Sequence, residues 1–384
     1  MFSVLHCPAQ VGGNPGILAK FERLMGLESF CISETVNPYA EPADLVLGGT
    51  GSSLLAKEIS RIRLVLKAAS IAGVLHLNNG RFVAPFFGDN IHPKEQDLPQ
   101  LIRWLIRKYA VLLIRGEISL HRLRINQKTV FVTFQGSDAR ETNCFKDYHL
   151  RSGLPEKIIS RSGMSDRSIR KKKSLLAEIV DKIYSLNPDL LEVLPQGAEF
   201  LPYATEATLY AKVLPIKETG ELVIGHAPTH RITKGTDQII GAVDRLRANG
   251  HRVRLELIEG LTKADALKKY QEIDLFIDQL VIGWYGVVSL EVMAMGKPVI
   301  CFVEGKGLRF VPSQMLQDLP IINADEITLE EKILKVMKMD TVQRGNLAER
   351  GIRFLQKWHD PRKIAQRVVA DYTEVLSQRN LVRV

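Results

Sequence analysis

Short apolar runs alternate with amphipathic stretches along most of the chain. The runs that we interpret as strands include FSVLHC, GVLHLN, TVFVTF, LVIGHA, VRLELIE, LFIDQ and PVICFV, and the stretches that we interpret as helices include ILAKFERLMG, TDQIIGAVDRL and ADALKKYQEI. This alternation is typical of βαβ units and parallel sheets. Scattered polar residues interrupt it at 203–220, the best candidate for a linker. The pattern predicts an α/β protein of two doubly wound, Rossmann-like domains, with ligands at the carboxyl ends of their strands.

One buried position carries a charge. In GWYGVVSLEVMAMGKPVI, the spacing predicts a helix over 287–295 that ends at Gly296, and the neighbours of Glu291 at helical spacing are all apolar: Val287, Val288, Ala294 and Met295. A carboxylate on a buried face is costly unless a partner satisfies it. The segment therefore predicts a partner for Glu291.

A basic loop follows the predicted strand LVIG. His226, His230, Arg231 and Lys234 precede a helix with a buried stripe at Ile239, Ile240, Val243 and Leu246. Cations are disfavoured before a helix N-terminus unless an anion binds there, and Gly235 frees the backbone for close approach. The loop predicts a phosphate or diphosphate site; the alternative is a solvated basic turn.

Two further loops carry candidate chemistry. Gly12, Gly13 and Gly16 lie between a strand and a helix, as in anion-binding loops, although a tight turn that needs positive φ explains each glycine equally well. Gln135 and Asp138 follow the apolar strand TVFVTF, where they could contact substrate hydroxyls, or Asp138 could hold a structural turn. We expect His76, at another strand end, to be structural.

Composition narrows the class of protein. The 384 residues are 45% hydrophobic and 25% charged, as in a soluble globular protein of about two domains. The four cysteines form no CxxC pair, which argues against a disulfide framework or a zinc site. No signal peptide and no membrane-spanning run is visible, so we expect a cytoplasmic protein.

A net charge of +9 suggests an anionic partner. The chain lacks the aromatic, zinc-finger and helix-turn-helix signatures of nucleic-acid binding, so we predict no nucleic-acid partner. Residues 101–128 hold seven basic residues against one acid, Glu117, with Trp104 on the basic face of a predicted helix. This pattern suits an anionic membrane surface at the inner face of the membrane, and it also suits a core-packed helix with a solvated basic face.

Several stretches, in order, resemble the retaining glycosyltransferases of GT-B fold that use nucleotide-sugar donors, a large bacterial group (glycosyltransferase family 4-like). They are VTFQGSDAR, NPDLLEVLPQGAEFLPYA, HAPTHRITKGT, IDQLVIGWYGVVSLEVMAMGKPVI and RFLQKWHDPRKIAQRV, and the likeness runs from about Val74 to Val375. The resemblance implies two domains that face each other across a cleft, an acceptor-side domain over 1–203 and a donor domain over 204–360. It also implies that residues 361–384 form a helix that crosses back to the first domain.

The resemblance implies roles for residues. Glu291 would accept hydrogen bonds from the donor ribose, while Arg231 and Lys234 would neutralise the diphosphate, with His226 near a position usually held by arginine. The remaining candidates for donor binding are Gly13, Gly235, Gly286, Val287 and Val288, and those for catalysis are Gln135 and Asp138.

Two positions depart from the family pattern. Gly283 stands where a first motif glutamate would contact the sugar, and Gln135 replaces a histidine. Asp278 and Gln279 are the nearest polar replacements. These departures leave open an alternative function, a non-catalytic nucleotide-sugar-binding protein.

The sequence therefore predicts a glycosyltransferase for hexosyl or related sugars in polysaccharide or glycoconjugate biosynthesis. The donor would be a nucleoside-diphosphate sugar and the acceptor a glycan or a lipid-linked molecule. The resemblance implies retention of configuration. No Asp-x-Asp motif is present, so we predict a metal-independent reaction that needs no cofactor beyond the donor.

Overall fold

The computed structural model describes residues 2–10, 12–35, 37, 43–48, 73–78, 129–142, 166–207 and 220–381. The candidate membrane segment 101–128 and most of the predicted linker lie outside these residues. The described chain divides into two compact units. One unit holds the residues up to 141, those from 166 to 204 and those from 361 onward, and the other holds Thr142 and the residues from 205 to 360.

The first unit is built on a parallel sheet. Its described strands are β1 (Ser3–Cys7), β2 (Glu28–Thr35), β3 (Leu45–Gly48), β4 (Gly73–Asn78), β5 (Thr129–Phe134), β6 (Lys182–Ser185) and β7 (Glu199–Phe200). They pair in the order β3-β2-β1-β4-β5-β6-β7. Every residue of β5 is buried, as expected of a central parallel strand that is covered on both faces. Helices α1 (Asn14–Leu24) and α2 (Asp166–Ile179) belong to this unit.

The second unit has its own parallel sheet. Its described strands are β8 (Leu222–His226), β9 (Val253–Leu257), β10 (Leu275–Ile277), β11 (Val299–Cys301) and β12 (Ile322–Asn323), in the order β12-β11-β10-β8-β9. Its helices are α3 (Arg231–Lys234), α4 (Thr236–Ala248), α5 (Lys263–Glu272), α6 (Val287–Ala294), α7 (Ser313–Asp318), α8 (Leu329–Met337) and α9 (Thr341–Trp358). The predicted stripe of α4 is buried at Ile239, Val243 and Leu246 and half-buried at Ile240. The two parallel sheets with helices confirm the predicted α/β class.

The last helix, α10 (Pro361–Leu381), packs on α1 and β5 in the first unit. Tyr372 on this helix is fully buried and meets the Phe131 ring edge-on, with 4.7 Å between the ring centroids. The apolar stripe of α10 is therefore covered by the seven-stranded sheet and α1. The described helix ends at Leu381, within the predicted range of 361–384.

Candidate active site

Each sheet reverses its strand order at one point. In the first sheet β1 lies beside β4, and in the second β8 lies beside β10. Open α/β sheets bind ligands outside the carboxyl ends of the strands at such a switch point. In the second unit, His226 ends β8 and Asp278 follows β10, so the loops after these residues border the expected ligand site.

The basic loop after β8 forms α3, turns at Gly235 and continues as α4. Gly235 has a φ of 73°, and a Cβ built there would lie 3.1 Å from Leu280 Cβ. Backbone conformation and packing both favour glycine at this position. The turn keeps Arg231 and Lys234 on one short helix at the carboxyl edge of the sheet.

Lys234 forms an ion pair with the buried carboxylate of Asp278. Lys234 Nζ contacts Oδ1 of Asp278, while Oδ2 accepts hydrogen bonds from Gly286 N at 2.6 Å and Ser289 Oγ at 2.7 Å. Burial alone would raise the pKa of Asp278, but the Lys234 charge and these donors outweigh burial and hold the pKa below its usual value. Asp278 thus stays ionised, positions Lys234 and binds two groups at the start of α6.

Arg231 forms a second ion pair, which is more exposed. Its Nε and one terminal nitrogen bind the two carboxylate oxygens of Glu259 at 2.9 and 2.5 Å. The hydrogen bonds and charge of Glu259 raise the pKa of Arg231, and those of Arg231 lower the pKa of Glu259. Both predicted cations therefore lie at the switch point, each already paired with a carboxylate of this chain.

The His226 side chain lies in the protein interior. The ring is fully buried, with Nδ1 2.7 Å from Ile277 O and Nε2 2.9 Å from Thr236 Oγ1. Burial, with a smaller effect of the Lys234 charge, lowers the pKa of His226 to about 4. The neutral ring holds β8, β10 and α4 together, and a donor-binding role of His226 stays a prediction.

Glu291 lies on α6, whose predicted extent is confirmed with an end one residue earlier. The side chain is 7% exposed, and its Oε1 lies 3.5 Å from Lys263 Nζ at the start of α5. The buried Tyr270 is close enough that, after burial itself, the Glu291 charge raises the pKa of its hydroxyl. In this structure the partner that the sequence required for Glu291 includes Lys263.

Gly286, Val287 and Val288 begin α6 beside the Lys234–Asp278 pair. Gly286 is the N-cap residue, and a Cβ built there would lie 3.4 Å from Asp278 Oδ2 and 3.6 Å from Lys234 Nζ. Val287 and Val288 are half-buried. The structure brings Lys234 and the α6 N-terminus together, as the predicted donor site requires.

The position of the missing motif glutamate is sterically closed. A Cβ built at Gly283 would lie 2.0 Å from the backbone oxygen of Glu304. Gln279 is 4% exposed and donates its amide hydrogen to Trp284 O, while Asp278 is held as described above. Both side chains stabilise the local fold in the ligand-free chain.

The remaining predicted residues lie in the first unit. Gly13 has a φ of 76° and is the N-cap residue of α1, so the interpretation as a turn holds for its backbone. Asp138 is 7% exposed, and its carboxylate accepts hydrogen bonds from the backbone nitrogens of Gln135, at 3.0 Å, and Gly136, at 2.5 Å. Asp138 thus forms the structural turn that the sequence left open, and its carboxylate is committed to the backbone.

Buried amide groups accompany Gln135 at this sheet edge. Among the described residues, Asn14 Nδ2, Asn78 Oδ1 and both side-chain amide atoms of Gln135 are buried without a hydrogen-bond partner. Asn14 follows the loop after β1, Asn78 ends β4 and Gln135 follows β5, and these three strands are neighbours. Asn14 and Asn78 are fully buried and Gln135 is 7% exposed, so Gln135 is the one of the three residues that retains any exposed surface. A neutral, hydroxyl-bearing ligand is the chemistry that would match its amide. His76, by contrast, is buried between Tyr372 and Thr133, as expected for a structural residue.

Among the described residues, no three His, Cys, Asp or Glu side chains are grouped as metal ligands would be, and metal independence stays a prediction. No helix in this part of the chain is long and apolar enough to cross a membrane.

Comparisons with known proteins identify the fold. No family model and no curated protein matches the sequence. Sucrose-phosphate synthase from Thermosynechococcus elongatus is 13% identical, with a TM-score of 0.59 over 98% of this chain and 100% of that one. The chain has the GT-B fold. HepE from Anabaena, in complex with UDP and glucose, is 11% identical with a TM-score of 0.58 over 97% and 100% of the two chains. A glycosyltransferase from Rickettsia africae is 14% identical with a TM-score of 0.55 over 98% of each chain.

Identities this low show a shared fold, and a GT-B fold by itself does not fix the reaction. The sequence missed two residues of the site, Glu259 and Lys263, which pair with Arg231 and Glu291. Each lies 28 positions from its partner along the chain, so no local pattern signals the contact.

Proposed function

We propose that this chain is a glycosyltransferase that moves a sugar from a nucleoside-diphosphate sugar to a glycan or lipid-linked acceptor. The observation that carries the proposal is the switch point of the second unit, where Arg231, Lys234 and the start of α6 come together with Glu291 on the same helix. The GT-B neighbours support it, since HepE is in complex with UDP and glucose.

The donor chemistry follows from this charge arrangement. The bond between the anomeric carbon and the diphosphate breaks, its electron pair leaves on the diphosphate, and the acceptor hydroxyl bonds to the carbon while its proton passes to the departing diphosphate. Arg231 and Lys234 stabilise the negative charge that develops on the leaving group. Glu291 accepts hydrogen bonds from the ribose hydroxyls, for which Lys263 substitutes in the ligand-free chain. Retention and independence of a metal belong to the proposal.

The acceptor side of the proposal rests on the first unit. Gln135 is 7% exposed, and burying an amide without partners costs about 1–3 kcal/mol for each unsatisfied group. A hydroxyl group of the acceptor or of the transferred sugar would bind at Gln135, whereas Asn14 and Asn78 are fully buried and contact no ligand in this proposal. The uncharged amide of Gln135 favours a neutral, polyhydroxylated portion of the acceptor.

A second candidate is a nucleotide-sugar-binding protein without transferase activity. The closed position at Gly283 favours it, because a carboxylate side chain cannot occupy that place without moving the Glu304 backbone. This candidate shares the donor site and differs in turnover. Release of nucleoside diphosphate from a panel of nucleotide sugars, with and without glycan acceptors, decides between the two functions.

The donor site is tested with the Glu291→Ala variant. We expect it to weaken binding of UDP, or of whichever of UDP, GDP and ADP binds, and of the matching nucleotide sugar by about 10- to 100-fold, because each loses hydrogen bonds between ribose and a charged group. Isothermal titration calorimetry measures both affinities. Arg231→Ala should instead lower kcat more than it raises KM, because its charge acts most strongly on the departing diphosphate.

Glu331→Ala is the matched control, since Glu331 is an exposed glutamate on α8, with 70% of its side chain accessible. We expect this variant to bind like the native chain. Equal nucleotide affinities for Glu291→Ala and Glu331→Ala would overturn the ribose role of Glu291. Absence of any nucleotide binding by the native chain would overturn the proposed function.

A further inference from the structure

Arg231 and Lys234 are both paired in the ligand-free chain, but the two pairs differ in burial. The Lys234 and Asp278 side chains are 18% and 2% exposed, whereas the Arg231 and Glu259 side chains are 50% and 33% exposed. An anion that binds here must share these cations with the carboxylates that already hold them. The two pairs will respond differently to such an anion.

The Lys234–Asp278 pair is fixed. Asp278 also holds Gly286 and Ser289, so withdrawing Lys234 would leave a buried carboxylate without its counter-charge, which is strongly unfavourable. Lys234 can contribute charge to a ligand while it remains bound to Asp278. It is a stationary cation at the α6 N-terminus.

The Arg231–Glu259 pair can open. Both groups reach solvent, and exposed ion pairs contribute little to stability because water replaces the lost contact. The backbone of the Glu259 loop is nevertheless held at the site, because the preceding residue, Ile258, donates its N–H to His226 O at 2.8 Å. Glu259 is therefore kept opposite Arg231 by the fold, and the side chains alone decide whether the pair is closed.

We propose that Glu259 is a built-in competitor for the diphosphate, and that ligand binding exchanges the Arg231 guanidinium from the Glu259 carboxylate to phosphate oxygens. The inference rests on the proposed function, since it assumes that the donor diphosphate binds at this switch point. The guanidinium fork binds a carboxylate or a phosphate in the same two-point geometry, so the two acceptors compete directly. When Glu259 takes Arg231 back, it favours departure of the nucleoside diphosphate product.

The test uses Glu259→Gln, which keeps the size of the side chain and removes its charge. Inorganic pyrophosphate and UDP are the probes, titrated calorimetrically at one ionic strength. We expect Glu259→Gln to bind both probes about two- to fivefold more tightly than the native chain, the range that corresponds to loss of one exposed ion pair. Release of UDP, followed by stopped flow, should slow by a similar factor.

Glu330→Gln is the matched control. Glu330 pairs with Arg245 at 2.6 Å in the same unit, and the side-chain exposures of 33% and 59% resemble those of the Glu259–Arg231 pair. Both variants change the net charge equally, so a long-range charge effect would appear in both. If the Arg231 guanidinium exchanges between Glu259 and phosphate, Glu259→Gln should bind pyrophosphate and UDP more tightly, and Glu330→Gln should bind them like the native chain.

The double variant Arg231→Ala/Glu259→Gln tests the pair itself. We expect Glu259→Gln to give no gain in affinity when Arg231 is already absent, because the competitor then has nothing to release. The same gain with and without Arg231, or a gain shared by Glu330→Gln, would overturn the exchange. UDP binding that is indifferent to Glu259 would overturn the exchange and leave the proposed function standing, whereas absence of UDP, GDP and ADP binding in every variant would overturn both.

Discussion

At the scale of single residues, two buried carboxylates each pair with a lysine, and the two ion pairs differ in their contact distances. Asp278 is bound by Lys234 and by two groups of α6 within hydrogen-bond distance. Lys263 lies 3.5 Å from Glu291, longer than the 2.7–2.9 Å of a charge-assisted hydrogen bond. Asp278 is therefore held mainly within the fold, and the ribose-binding role of Glu291 stays part of the proposed function.

Because the His226 ring is buried, we expect the stability of the folded chain to depend on pH. Burial holds its pKa at about 4, against 6.5 in an unfolded chain, so between these values the unfolded chain takes up a proton that the folded chain does not. The free energy of unfolding should therefore fall as the pH drops from about 6.5 towards 4, by ~3 kcal/mol in total. Urea denaturation of the native chain and of His226→Gln at several pH values measures this loss. The variant should lack this share of it, and parallel pH profiles would contradict the assignment.

The backbone around Gly283 leaves no room for a side chain. A Cβ at this position would lie 2.0 Å from the Glu304 backbone oxygen, so Gly283→Ala must displace the backbone and should lower the free energy of unfolding by about 1–3 kcal/mol. Gly345→Ala is the control, because a Cβ on that glycine of α9 meets nothing within 4 Å. Chemical denaturation compares the two variants. Equal stability would show that the loop accommodates side chains, and that the motif glutamate could be restored.

At the scale of elements, α10 is joined to the first unit by a buried polar network. The Tyr372 hydroxyl contacts His76 Nδ1 and lies 3.4 Å from Glu22 Oε1, while the other carboxylate oxygen of Glu22 accepts from Ser29 Oγ at 2.6 Å and lies 2.9 Å from His6 Nε2. Burial, then the charge of Glu22, raises the pKa of Tyr372, so the phenol stays protonated. The helix thus depends on polar partners from α1, β1 and β4 as well as on its apolar stripe.

Tyr372→Phe tests this network. The ring still packs on Phe131, but His76 loses a buried partner, so we expect the free energy of unfolding to fall by about 1–3 kcal/mol. Thr373→Ala, which removes an exposed hydroxyl from the next position, should leave stability within ±0.5 kcal/mol of native. Urea denaturation followed by circular dichroism measures both. Matching effects of the two substitutions would mean that the network contributes nothing to the docking of α10.

At the scale of the whole molecule, each unit carries its candidate groups at the switch point of its own parallel sheet. The second unit presents paired cations and a buried glutamate, which suit a phosphorylated ligand. The first unit has Gln135 at the end of β5, and its amide suits a neutral one. Binding of residues 101–128 to an anionic membrane surface stays a prediction outside the described structure.

The sequence by itself determined most of the regular elements. Hydrophobic periodicity is a local property, so it located β4, β5, β8, α4 and α6 within a residue or two. It missed β2, whose three apolar residues Phe30, Cys31 and Ile32 are flanked by polar ones, and the short strands β3, β6, β7 and β12. Short or polar strands are defined by their neighbours in the sheet, and their own sequences carry little signal.

Only the tertiary structure decided which side chains meet. Arg231 binds Glu259, which lies 28 residues further along the chain, and Lys234 binds Asp278, which lies 44 residues further along. Hydrophobic periodicity carries no information about contacts between residues this far apart in the sequence. The sequence placed both cations in one loop, but their different availability to a ligand follows from burial of one carboxylate and exposure of the other. The charge of His226 likewise depends on the tertiary structure, because burial removes water from around the ring and lowers its pKa.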